Sequence, residues 1–227
     1  MDVTERQFGQ RLVRVYHAEG DGLPVVYSND YDEAGESVLV CCARLGCMPF
    51  HLVTVSGLAW DRAMSPWPSA PVMGSDDFAG EAPEHLDWML LEVVSFAEDE
   101  LGAQDATSYI AGYSMAGLFS LWALYQTDLF AGAVSASGSL WYPGFEDYAL
   151  THELAGSPRG IYLSIGSKET RVRNPMLQHT DGICQRLCEH YQELGIPSTF
   201  ETNPGGHFLE PDLRMAKGIT WLLGNAR

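Results

Sequence analysis

The chain has 227 residues, 46% of them hydrophobic, with 13 basic against 30 acidic residues and a formal net charge of −17. That length and apolar content suffice for one sizeable core and fall short of two ordinary domains with a linker, so a single domain over residues 1–227 is expected. The charge repels phosphate backbones and anionic membrane surfaces, which argues against nucleic acid and membrane partners, and it disfavours polyanionic substrates unless a local basic cluster compensates.

The polar start at 1–7 has neither the basic n-region nor the apolar h-region of a signal peptide, and no apolar run approaches bilayer length. A soluble, cytoplasmic protein is therefore expected. Residues 11–18 alternate as an edge or antiparallel strand, a turn follows at 19–22, and 23–27 make a short buried strand. After a polar loop at 28–33, residues 37–45 read as a helix, although the Val38-Leu39-Val40 run suits a strand equally. Residues 50–55 form a second core strand, opening into a long irregular stretch at 56–82 that carries Trp60 and Trp67. A loop of that length in a compact domain is usually functional.

From 83 to 101, Leu86, Leu90, Val93, Val94 and Leu101 recur at helical spacing, with Pro83 near the start and Gly102 after the end. A strand at 107–113 runs into Gly112-Tyr113-Ser114-Met115-Ala116-Gly117, and an amphipathic helix with Leu118, Leu121, Trp122 and Tyr125 on one face follows at once. Later come a strand at 129–137, an aromatic loop at 138–145, a strand at 160–166 and a helix at 175–194. A last strand at 198–202, a Gly205-Gly206 turn and a closing helix at 213–223 complete the chain. Strands alternating with helices imply a mainly parallel sheet covered on both faces, without a separate cap domain. Active residues in such sheets stand beyond the carboxyl ends of strands.

Three chemistry-bearing residues occupy such places. Ser114 sits where a strand turns sharply into a helix, with small residues on both sides, the signature of a nucleophile elbow; its pattern, G-x-S-x-A-G, has Ala116 where glycine is usual. Glu169 follows the 160–166 strand, and His207 follows the last strand after the glycine pair. Nucleophile, acid, histidine is the chain order of α/β-hydrolases. A serine hydroxyl is too weak an acid to attack an ester alone, so His207 would take its proton and Glu169 would orient and stabilise the imidazolium. Glu169 shares its loop with Lys168, Arg171 and Arg173, so a surface ion pair and a Ser114–His207 dyad stay open as alternatives.

The oxyanion donors expected are the backbone N–H of Met115 and that of Tyr31, with Asp30 as the alternative. Trp60, Asp61, Trp67, Trp141 and Arg173 are candidate substrate-pocket residues. The five cysteines, Cys41, Cys42, Cys47, Cys184 and Cys188, lack CxxC spacing and read as reduced thiols, the last two packing inward from one helix face. No metal site and no cofactor are expected.

The segments Gly112–Phe119, Ser135–Tyr142, Tyr162–Glu169 and Gly205–Phe208, taken in this order, resemble the putative esterase family, small α/β-hydrolases that include esterase D-like and enterochelin esterases. The resemblance implies a nucleophile at Ser114, an acid at or near Glu169 and a histidine at His207, acting on a small-molecule ester. Two rival readings share the scaffold: an acyltransferase in which an alcohol outcompetes water, and a non-catalytic binding module. The oligomeric state is left open.

Overall fold

The computed structural model describes residues 2–31, 33–72 and 78–225. Its centre is an eight-stranded sheet built from β1 (Asp2–Phe8), β2 (Arg11–His17), β3 (Val25–Asn29), β4 (His51–Ser56), β7 (Ser108–Tyr113), β8 (Phe130–Ala136), β9 (Gly160–Gly166) and β10 (Ser198–Asn203). The spatial order is β1-β2-β4-β3-β7-β8-β9-β10; β1 and β2 pair antiparallel, β2 meets β4 antiparallel, and every later pairing is parallel. The polar start thus forms an edge strand that composition did not announce. Its residues are half or fully exposed, so no apolar alternation marks it.

Alternate residues of each strand feed two cores. On one face, Val26, Leu52, Tyr109, Ala111, Val134 and Tyr162 pack under α1 (Gly35–Arg44) and α8 (Pro211–Asn225). On the other, Val25, Tyr27, Val53, Ile110, Ala133 and Leu163 pack against α5 (Met115–Ala123) and α7 (Thr180–Glu193). The helical reading of 37–45 therefore holds. The 83–101 helix runs as α3 (Ala82–Trp88), a π-helical turn at Met89–Val94 and α4 (Ser95–Leu101), ending on Gly102 in the left-handed region. Every residue of α5 is buried, so it is the central helix of its layer and not an amphipathic surface helix.

The long 56–82 stretch is more structured than a plain loop. It carries the short helix α2 (Trp60–Met64) and a two-stranded pair, β5 (Pro68–Ser69) with β6 (Phe78–Ala79). The remaining short helices are α6 (Phe145–Thr151) and a 3-10 turn at Leu177–His179. All five cysteines carry free thiols, with Cys184 and Cys188 buried in the α7 face. Among the described residues no helix is long and apolar enough to cross a membrane.

Candidate active site

The carboxyl ends of β7, β8, β9 and β10 lie side by side, and the loops leaving them meet. At the β7 end the chain reverses through Ser114, whose backbone has φ 59° and ψ −121°. A serine held in this region costs roughly 1–3 kcal/mol and persists only when its surroundings fix it. Here the Ser114 N–H donates to the Ala136 carbonyl at 3.1 Å, while its own carbonyl accepts from Gly117, Leu118 and Ser139 at 3.0, 3.2 and 2.9 Å. The turn closes so tightly that a Cβ on Gly112 would lie 2.1 Å from the Ala116 carbonyl oxygen. Gly112 is thus the glycine the elbow demands, and the methyl group of Ala116 is buried.

Ser114 Oγ lies 3.0 Å from His207 Nε2, and His207 Nδ1 lies 2.7 Å from Glu169 Oε2. A carboxylate only accepts, which assigns the proton to Nδ1 and leaves Nε2 as the acceptor for the serine hydroxyl. The two oxygens of Glu169 have different duties. Oε1 takes the Gly166 N–H at 2.7 Å, the Ser137 hydroxyl at 2.9 Å and Arg214 Nη1 at 2.7 Å, whereas Oε2 meets His207. Burial pushes the Glu169 carboxyl up, but the bonds from His207, Gly166 and Ser137 outweigh it and hold the group below the usual carboxylate value. Glu169 is therefore ionised at neutral pH and tied inward, not paired to its loop neighbours Lys168, Arg171 and Arg173.

Ser114 and His207 open onto a cleft of about 1380 Å³ that Met115, Tyr31, Trp60, Asp61 and Trp141 also line. The Met115 N–H heads α5, where helix geometry gives it no acceptor. Tyr31 stands just beyond β3; the Asp30 N–H is spent on the Val55 carbonyl at 2.8 Å. Tyr31 and Trp60 meet edge to face at 5.3 Å, and Phe208, 91% exposed, places its ring beside His207 at 5.1 Å.

Two expected pocket residues fall elsewhere. Trp67 donates its indole N–H to the Pro143 carbonyl and packs on Tyr142 and Tyr148, so it braces the aromatic loop. Arg173 is exposed and outside the cleft lining. Other residues of the constellation carried no sequence motif. Ser137 and Arg214 bind Glu169, the Tyr113 hydroxyl donates to the His207 carbonyl at 2.5 Å, and Ser139 Oγ stands 3.5 Å from Ser114 Oγ. The one signal was an arginine on the apolar stripe of the closing helix, where Arg214 shares a face with Gly218 and Leu222. Among the described residues no three His, Cys, Asp or Glu side chains are grouped as metal ligands.

Residues 52–210 match the family model described as Putative esterase, well over half of the chain. An uncharacterized protein, YbbA, of Bacillus subtilis strain 168 is 24% identical over 98% of this chain and 94% of its own length. Two solved structures share the fold with a TM-score of 0.75. An IroE-like serine hydrolase from Shewanella oneidensis is 16% identical over 98% of this chain and 80% of that one. Siderophore hydrolase EstA from Aspergillus nidulans is 17% identical over 98% of this chain and 94% of that one. The chain therefore belongs to the putative esterase family and is an ester-hydrolysing enzyme on the α/β-hydrolase fold.

Proposed function

We propose that this protein is a serine esterase working through an acyl-enzyme on Ser114, on a single α/β-hydrolase domain. The observation that carries the reading is the unbroken relay from Ser114 Oγ through His207 to Glu169 at the floor of the cleft. Ser114 Oγ attacks the ester carbonyl as its proton passes to His207 Nε2. Glu169 Oε2 stabilises the imidazolium, and the N–H groups of Met115 and Tyr31 receive the oxyanion, each such donor being worth roughly 3–4 kcal/mol in comparable enzymes. Collapse of the tetrahedral intermediate expels the alcohol, which takes the proton from His207. Water then repeats the sequence on the acyl-enzyme and releases the acid.

The cleft exceeds the usual 300–1,000 Å³ of small-ligand sites, which supports a bulky, multi-part ester. The formal net charge of −17 favours uncharged or cationic esters over polyanionic ones. EstA of Aspergillus nidulans is named a siderophore hydrolase, which makes siderophore esters a worthwhile arm of a substrate panel.

The test is a broad ester panel run on the wild type and Ser114→Ala together. Turnover of short p-nitrophenyl acyl esters is expected to vanish in the variant while its melting temperature stays put; unchanged turnover would refute the mechanism. Adding an acceptor alcohol and analysing products separates hydrolysis from acyl transfer.

A further inference from the structure

Arg214 is 2% exposed, and its guanidinium sits behind the acid–base pair. Nη1 donates to Glu169 Oε1 at 2.7 Å, to Ser137 Oγ at 2.8 Å and to the Tyr113 hydroxyl at 3.2 Å. Nη2 donates to the carbonyls of Pro204 and Gly206 at 2.9 and 2.8 Å. One planar group on α8 thereby joins the ends of β7, β8, β9 and β10. We propose that Arg214 is the positioning residue of the esterase site: it occupies one oxygen of Glu169, leaves the other to His207, and clamps the loop that carries His207. The inference rests on the triad reading above.

Two physical points support it. A buried cation is tolerated only when paired and fully hydrogen-bonded, and a guanidinium offers a flat fork that serves two loops at once, which an ammonium does not. The cradle also has no spare room. A Cβ on Gly166 would lie 2.6 Å from the Gly205 carbonyl, 2.7 Å from Glu169 Oε1 and 2.9 Å from Arg214 Nη1. The titratable or charged groups facing Glu169 are His207, Arg214, Tyr113 and, from α7, the buried thiol of Cys184. Arg214 is the fixed cation among them.

The experiment measures kcat, KM and the pH profile of kcat/KM for a p-nitrophenyl ester, with thermal melts, on Arg214→Lys, Arg214→Gln, Glu169→Gln and the Arg214→Lys/Glu169→Gln pair. Arg214→Lys keeps the charge and loses the fork; kcat is expected to fall about 10–100-fold with KM within about threefold, as a loss of alignment produces. Arg214→Gln removes the cation that balances the Glu169 carboxylate, so the His207–Glu169 pair holds an extra proton more readily and the acidic limb of the profile moves to higher pH. In the Glu169→Gln background the Arg214→Lys loss should shrink, because the share that acts through Glu169 is already gone and only the clamp on the His207 loop remains. An unmoved acidic limb, an undiminished loss in that background, unchanged kcat, or loss of the fold in both single Arg214 variants would overturn the proposal. Glu169→Gln alone separates the two readings: no effect there sinks the triad, whereas a large effect there with none in Arg214→Lys sinks only the role of Arg214.

Discussion

The two walls of the cleft are held in different ways. The wall formed by the ends of β8, β9 and β10 is tied from behind: Glu169 Oε1 takes three donors, and Arg214 spans the loops. The opposite lip, formed by the β3 end and α2, faces the cleft with Tyr31, 69% exposed, and with Trp60. Its buried anchor is the bond between Asn29 Oδ1 and His85 Nε2 at 2.8 Å. The difference is what division of labour demands. On the proposed mechanism the proton-transfer groups, which tolerate little misplacement, are the ones locked by buried charge, while Tyr31 and Trp60 offer a substrate accessible aromatic surface.

The sharpest way to break the rigid wall is His207→Ala, which should lower kcat by about 10⁴-fold or more with little change in KM if His207 is the proposed base, which acts in the transition state. Steady-state kinetics on the folded variant checks this. Gly166→Ala keeps every side chain of the proposed relay but presses a methyl group against Glu169 Oε1, Arg214 Nη1 and the Gly205 carbonyl; a fall in kcat of about 10–100-fold is expected, and wild-type kinetics there would show that the cradle is not strict.

The lip yields smaller effects. Burial, with Arg11 nearby, pushes His85 down to about 3 from an ordinary 6.5, so the folded protein resists a proton that the unfolded chain accepts. Its contribution to stability is complete above pH 6.5 and is lost as pH falls toward 3, at up to about 1.4 kcal/mol per pH unit. Denaturant melts across that window should be flatter for His85→Gln than for the wild type; parallel curves would remove His85 as the acid-sensitive anchor. Smallest of all, Trp60→Ala is expected to raise KM about 3–10-fold on aromatic esters while kcat stays within about twofold; a kcat loss equal to that of Gly166→Ala would erase the contrast between the walls.

Legibility in the sequence follows the same division. The grouping of Ser114, Glu169 and His207 is readable because each follows a strand end and the chain order is distinctive. Arg214 was hidden because its partners are backbone carbonyls and residues scattered over four loops, with only its place on an apolar helix face to betray it. Strand β1 escaped because a half-exposed edge strand has no alternation to detect. Trp67 and Arg173 were expected at the pocket because residue type does not distinguish a cleft wall from a brace or an exposed loop; their neighbours in space do. Ala116 departs from the usual elbow glycine, yet the close approach that forbids a side chain falls at Gly112.

If Ser114 is an activated nucleophile, a fluorophosphonate probe should label it, and intact-mass analysis of the treated protein reads the outcome. One adduct per chain is expected, mapped to Ser114, absent in Ser114→Ala and formed far more slowly in His207→Ala. No adduct on the folded wild type, or an adduct on another residue that survives Ser114→Ala, would contradict it.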